Sequence, residues 1–282
     1  MVLDLSDRQW LWCAAGLYTA GFLLGTGSIV RGGRMHGVLI YCSILVGYIA
    51  QFIGLGIRGR ANGGCPLGNE FEIFQFTAWS ATTLYLLIGV RFRSSVLGYF
   101  TSCLGAALTI LSLSIPAWDA VRRTHIFGGN PWLELHASLA IFSYGVFGLL
   151  ALASTLFLFR HFSLKSKRLG GWFSFLPSIL DLDHIEVRLL GTGAVLLTLA
   201  LLFGSVYWSR DAASVGLFKL AATVAVWLVA SLAFALRVSG KLLSKRFAWT
   251  CLALFAAALL SLGAVDTSRH PVTPKAAPQA TQ

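Results

Sequence analysis

The sequence predicts an all-α polytopic membrane bundle of about eight transmembrane helices, with both termini on the outer, periplasmic side. Three observations carry that expectation. The 282 residues are 56% hydrophobic and only 12% charged, more apolar than a soluble domain of this length requires. Eight runs of about 18 or more apolar residues, each able to cross a hydrocarbon core, fall at 10–30, 37–57, 73–90, 96–118, 137–159, 189–208, 220–236 and 247–265. The third observation is where the charges sit. Arg31 and Arg34, Arg91 and Arg93, Arg160 with Lys165, Lys167 and Arg168, and Arg237 with Lys241, Lys245 and Arg246 all fall in odd-numbered loops. Even loops and termini carry fewer cations and offset them with Asp4, Asp7, Glu70, Glu72, Asp119, Glu134, Asp211 and Asp266. The positive-inside rule makes the odd loops cytoplasmic, so the net charge of +11 reads as a topology signal. It argues for membrane lipid as the surrounding medium and against a nucleic-acid partner.

Taken in order, the chain begins acidic where a signal peptide would be positive, so the first run is read as a retained span. Runs one and two form a hairpin closed by Arg31-Gly-Gly-Arg34-Met-His36, with His36 at the interface. Run two contains Gln51, a buried amide that must hydrogen-bond a neighbouring helix or line a cavity. Loop two, Arg58 to Glu72, is rich in turn-forming Gly, Pro and Asn. Run three carries Trp79 well away from the interfacial belt, where it packs on another helix or on a flat ligand. Cys13, Cys42, Cys103 and Cys251 lie in spans as small packing residues, Cys65 lies in a loop, and no C-x-x-C pair occurs.

Loop four, Asp119 to Asn130, brings Arg122, Arg123, His125 and Phe127 to the outer face beside Trp118. Two guanidiniums near a ring suit a planar dicarboxylate, and equally suit phospholipid head groups. Run five is the organising stretch. It has no charge or proline from Ala137 to Phe159, and His136 stands at its entrance one turn beyond Trp132, where an imidazole can offer a neutral nitrogen to a metal. Segment 161–188, with aromatics beside lysines, reads as lying along the cytoplasmic interface, and its His161 and His184 as solvated or hydrogen-bonded. Loop six opens with Tyr207-Trp208-Ser209-Arg210-Asp211, and Lys219 begins run seven with a stem long enough to snorkel. The expected organisation is one transmembrane domain, 1–265, and a Pro- and Ala-rich disordered outer tail, 266–282, with His270 at the boundary of order.

Parity puts His136, the Trp208 to Asp211 segment and His270 on one face. A haem iron takes histidine axial ligands, so two outward imidazoles around an aromatic platform would suit it, with Arg210, Arg122 or Arg123 near the propionates.

Several stretches also match a known family in order and spacing. They are Gly64-Cys-Pro-Leu-Gly-Asn-Glu-Phe-Glu with Trp79; Leu135-His136-Ala-Ser-Leu-Ala with Ser143-Tyr144; Arg188-Leu-Leu-Gly through Leu196-Leu-Thr-Leu to Gly204; Lys219-Leu-Ala-Ala-Thr with Trp227-Leu and Arg237; and Arg246 to Gly263. On these the chain resembles the cytochrome c assembly membrane proteins of the CcsA and HemX type, which handle haem on the outer face of the cytoplasmic membrane. The resemblance implies that His136 and His270 ligate haem around the loop from Tyr207 to Asp211. It departs from the family at Arg210, where the fuller pattern has a second tryptophan. It departs again at Ala235 and Gln51, near the positions of membrane-embedded histidines in synthetase-type members. These departures point to the shorter HemX-like branch.

The expected function is a non-enzymatic cytochrome c biogenesis factor of a bacterial cytoplasmic membrane, or a subunit of a cytochrome c haem lyase. It would bind haem b non-covalently, since no C-x-x-C-H occurs, and would offer it to apocytochrome c or a partner subunit. The alternative is a HemX-like membrane regulator or scaffold that meets haem-synthesis enzymes through 161–188. A small-solute transporter ranks last, because Gln51 is the lone midplane polar candidate.

Overall fold

A run of apolar residues in lipid must satisfy its backbone internally, and a helix does so. The computed structural model describes residues 5–31, 37–92, 95–167, 178–208 and 217–266, apart from the side chains at several helix ends. Those residues form eight α-helices, one for each apolar run: α1 Asp7–Val30, α2 Gly37–Asn62, α3 Glu70–Phe92, α4 Ser95–Ser114, α5 Pro131–Lys165, α6 Ile179–Trp208, α7 Leu217–Val238 and α8 Ser244–Asp266. A 3-10 turn, Pro116–Asp119, follows α4. No strand occurs among the described residues. Among the described residues, six helices, α1, α2, α4, α5, α6 and α7, are long and apolar enough to cross a membrane. The protein is a polytopic membrane helix bundle.

Local sequence sets the helix starts. Ser6 and Gln9 form a reciprocal capping box at α1, and the Asn130 side chain accepts from the Trp132 N–H ahead of Pro131 at α5. The 35 residues of α5 extend over about 52 Å, far more than a hydrocarbon core, so both its ends project.

The helices divide into two groups of four. Helices α1 to α4 pack together, α5 to α8 pack together, and α3 against α5 is the principal seam between them. That seam is tight because Gly145 lacks a side chain. A Cβ there would stand 1.6 Å from Ser80 Oγ and 2.7 Å from the Thr77 carbonyl.

Inside the first group, Gln51 is fully buried and is satisfied by neighbouring helices. The Tyr18 hydroxyl donates to its Oε1 at 2.9 Å, and its Nε2 donates to Gln75 Oε1 at 2.8 Å; Gln75 in turn donates to Ser112 Oγ at 2.7 Å. Trp79 stacks on Tyr48 with ring centroids 5.6 Å apart and packs against Phe76 and Phe142. Both residues therefore take the packing alternative left open by the sequence.

At the upper end of the bundle, where α1 and α5 begin, an ion-pair cluster gathers. The Arg58 side chain is completely buried and donates to Asp7 at 2.9 Å and to Asp119 at 2.8 Å, with Glu72 at 3.6 Å and the Phe71 ring beneath it at 4.4 Å. Arg8 and Arg122 add pairs to Asp119 and Asp7 at 3.0 and 3.2 Å, so three guanidiniums balance three carboxylates. At the lower end Arg237 pairs with Asp183 and donates to the Leu242 carbonyl.

Three element boundaries differ from the sequence expectation. Helix α2 continues to Asn62, because neutralised Arg58 can stay inside it, so the loop begins at Gly63 instead of Arg58. Helix α4 stops at Ser114, ahead of Ile115 and Pro116, since a residue before proline is driven out of the helical region. The segment 161–188 is not an interfacial stretch throughout. His161 belongs to α5 and His184 to α6, whose first turn is capped by Ser178 Oγ accepting from the Asp181 N–H at 3.1 Å.

Candidate functional site

The seam between the two halves opens at the upper end into a cavity of about 620 Å³. Such a volume falls in the range of small-molecule sites. Its walls are mostly apolar, from Ile73 and Phe74 on α3, Ala140 and Ile141 on α5, and Leu197 on α6, while Tyr144 and Thr223 bring hydroxyls. His136 is the histidine on the wall.

His136 is the sixth residue of α5, near the upper end of that helix. Its Nδ1 lies 2.6 Å from the carbonyl of Ala200 on α6. A carbonyl oxygen can only accept, so Nδ1 carries the proton, and in the neutral ring Nε2 keeps the lone pair. The ring fits there because Gly204, one turn beyond Ala200, has no side chain; a Cβ would stand 2.7 Å from Nδ1. Helix α6 thus cradles one edge of the imidazole and leaves Nε2 as the nitrogen for the cavity. One turn earlier on α5, Trp132 stacks on Phe203 of α6 with centroids 5.7 Å apart.

The cavity's outer rim is built from the two loops beside it. Glu134 on α5 accepts from the Cys65 N–H, which ties the first loop to the helix. Burial pushes the Cys65 thiol up to about 11, helped by the carboxylates of Glu134 and Glu72. Glu72 accepts from the Gly68 N–H at 2.6 Å and from Asn62 at 2.7 Å. The second loop lies directly on Gly68, where a Cβ would meet the Arg123 carbonyl at 3.2 Å. It is pinned on one side by Asn69, which donates to the Val121 carbonyl at 3.2 Å, and on the other by the His125 N–H, which donates to the Asn62 carbonyl at 3.0 Å. His125 adopts a positive φ of 49° there, and its ring lies over Gly63. A smaller cavity of about 180 Å³ adjoins the first and shares Gly68, Glu70, Trp118 and Arg123 with it.

Of the residues that the sequence singled out, the structure brings His136 and Arg123 to one cavity, while Trp132 lies one turn before His136 on α5, stacked on Phe203. Arg122 is not with them. Its guanidinium is bound to Asp7 and Asp119 in the ion-pair cluster, because those two carboxylates draw it away from the cavity. Trp208 closes α6 one turn past Gly204, at the His136 end of the bundle. His270, Arg210 and Asp211 lie outside the described residues, as do His36 and the side chains of Trp208 and Lys219.

Sequence reasoning passed over Ala200 and Gly204 as site residues, because a backbone carbonyl and an absent side chain leave no compositional mark. It also passed over the Arg58 cluster. There a signal existed: Asp7, Glu72 and Asp119 all fall, by parity, at the end of the bundle where α2 finishes.

Known proteins resemble this chain over most of its length. Protein HemX of Bacillus subtilis (strain 168) is 25% identical over 194 residues, 68% of this chain and 69% of that one. Protein HemX of Brevibacillus brevis is 25% identical over 207 residues, 73% of this chain and 75% of that one. Cytochrome c biogenesis protein CcsA of Chlamydomonas reinhardtii is 30% identical over 171 residues, 55% of this chain and 46% of that one. The family described as Cytochrome C assembly protein matches residues 67–266, from the rim of the cavity to the end of α8. With its cavity, its histidine and most of its helices inside that match, the chain belongs to the cytochrome c assembly protein family.

Proposed function

We propose that the protein is a cytochrome c biogenesis factor that holds haem b non-covalently in the upper cavity, with His136 as an axial ligand, and presents it to apocytochrome c or a partner subunit. The observation that carries this reading is the hydrogen bond from His136 Nδ1 to the Ala200 carbonyl at the wall of an apolar cavity. Ligating histidines characteristically donate their other ring nitrogen to a carbonyl or carboxylate, which fixes the tautomer and raises the basicity of the ligand. The residues present fit the group: an apolar chamber for a porphyrin face, one imidazole edge held by α6, and a cation at the rim. Haem, when bound, supplies an iron that accepts axial ligands and the chemistry that a cytochrome later uses. The chain's own residues orient the ring, keep water from the apolar walls and leave Nε2 available.

His270 is the proposed second ligand. It follows the end of α8 at Asp266 by four residues, a reach of at most about 14 Å. The upper part of α8 stands beside the cavity, since Ser261 and the cavity residue Tyr144 share a hydrogen bond of 2.9 Å. Trp208, Arg210 and Asp211 are proposed to flank the haem, and Trp132 its rim. The upper end is proposed to face the periplasm, in a bacterial cytoplasmic membrane.

A pyridine haemochrome assay on detergent-purified protein tests this. Wild type carries haem b, and His136→Ala loses most of it with a changed Soret band. Unaltered haem content and spectrum in the His136→Ala, His270→Ala double variant overturns the ligand assignment. A protein that carries no haem but retains a haem-synthesis enzyme through its lower end would instead be the regulator.

A further inference from the structure

Arg122 and Arg123 are adjacent, yet their surroundings differ. Arg122 is consumed by Asp7 and Asp119. Arg123 has no carboxylate within 4 Å among the described residues, and it lines both the apolar chamber of His136 and the smaller cavity beside it. Asn69 and Glu70 also line that smaller cavity, which makes it a polar antechamber to an apolar room.

The position of Arg123 is built. Its backbone rests on Gly68, at a contact that any Cβ would crowd. Two residues before it, the Val121 carbonyl is held by Asn69; two residues after it, the His125 N–H is held by Asn62. Asn62 is itself bonded to Glu72, and Glu72 to Gly68, so the Asn62 pin and the Gly68 seat lead back to one buried carboxylate. A guanidinium with no carboxylate within 4 Å among the described residues, carried on a loop whose backbone is held where an apolar chamber meets a polar one, suits an amphiphile with a flat apolar body and a carboxylate end, because Arg pairs carboxylates through two parallel hydrogen bonds.

We infer that Arg123 is the specificity-determining residue that receives the ligand's carboxylate edge in the antechamber, so that the ring system enters the His136 chamber with its propionates toward the rim. Arg122 takes no part. This inference rests on the haem reading above and adds the direction of the bound porphyrin and the chemical group that selects it.

The test compares haem with its dimethyl ester, in which both carboxylates are masked. Purified protein in detergent is titrated with each, and binding is followed by the Soret band. Wild type is expected to bind haem about tenfold or more tightly than the diester, the scale of a charge-assisted pair. Arg123→Gln is expected to erase that preference while keeping the wild-type Soret position, and Arg123→Lys to restore part of it. Arg122→Gln is expected to keep it in full. An Arg123→Gln protein with the wild-type ratio overturns the assignment of Arg123 while the haem reading stands. Wild-type protein that gives no saturable Soret change with haem overturns the haem reading itself, and His136→Ala protein with unchanged affinity and spectrum overturns only its ligand assignment. Equal wild-type affinity for haem and diester, with both displaced by phosphatidylglycerol vesicles, overturns the carboxylate assignment in favour of a phosphate head group.

Discussion

His136 on α5 and Ala200 on α6 are joined by a hydrogen bond of 2.6 Å from a side chain to a main-chain carbonyl inside an α-helix. An α-helical carbonyl already has one acceptor site engaged by its own helix, and the imidazole uses the second lone pair. The orientation of the ring is therefore set by the backbone of α6, and no substitution at Ala200 itself removes the acceptor. Gly204 does offer a handle.

Gly204→Ala places a methyl group 2.7 Å from His136 Nδ1 and forces the ring to move. Haem affinity is expected to fall about tenfold or more, as it does when the support of a ligating histidine is removed. Soret titration measures the affinity, and helix content by circular dichroism should stay at the wild-type value. Undiminished affinity would mean that the α6 cradle does not position the ligand.

Arg58 tests the upper cluster. Arg58→Leu leaves Asp7, Glu72 and Asp119 together without their buried cation, and such a change is expected to destabilise the protein by about 3–5 kcal/mol. Arg122→Gln removes a half-exposed partner of the same carboxylates and should cost under about 1 kcal/mol. Denaturant unfolding in mixed micelles distinguishes the two, and equal effects would contradict the burial argument.

Gln51→Leu deletes the hub of the buried network, taking the acceptor from the Tyr18 hydroxyl and the donor from Gln75 Oε1, with an expected loss of about 1–2 kcal/mol. Because the two glutamines are bonded to each other, Gln51→Leu/Gln75→Leu should lose less than the sum of the single variants. Strict additivity in the same unfolding measurement would deny the coupling.

Cys65 gives a pH dependence. Its thiol is held up to about 11 by burial, with Glu134 and Glu72 adding to the shift, so it is neutral at physiological pH and slow to react with maleimide. Labelling should rise as pH approaches 11 and should become fast at neutral pH once the protein is denatured. The sign for stability follows. Below the ordinary cysteine value both states are protonated and Cys65 contributes no slope; above it the unfolded thiol ionises first and stability falls up to about pH 11. Fast labelling of the native protein at neutral pH would contradict the burial of this loop.

The helices were largely legible in the sequence, because each apolar run in lipid has one stable backbone solution. Their ends were less so. Arg58 looks like a loop residue until Asp7 and Asp119, distant in sequence, are seen to neutralise it. At the site, His136 was legible as an imidazole at a helix entrance, and Arg123 as one of two equivalent arginines. What separates Arg123 from Arg122 is which one finds a carboxylate, and that depends on the packing of α1 against the loop after α4. Gly204 and Gly145 were illegible as individuals, since the meaning of a missing side chain lies in the neighbour that approaches it.

The cavity has a floor and walls from both groups of four helices: Ile73 and Phe74 come from the first, His136 and Leu197 from the second. Below it the groups touch chiefly along α3 and α5, at Gly145 and Ser80. An occupant of that chamber consequently acts as mortar between two masonry blocks. On the haem reading, loading would make the halves unfold together and at higher denaturant, because the occupant touches both.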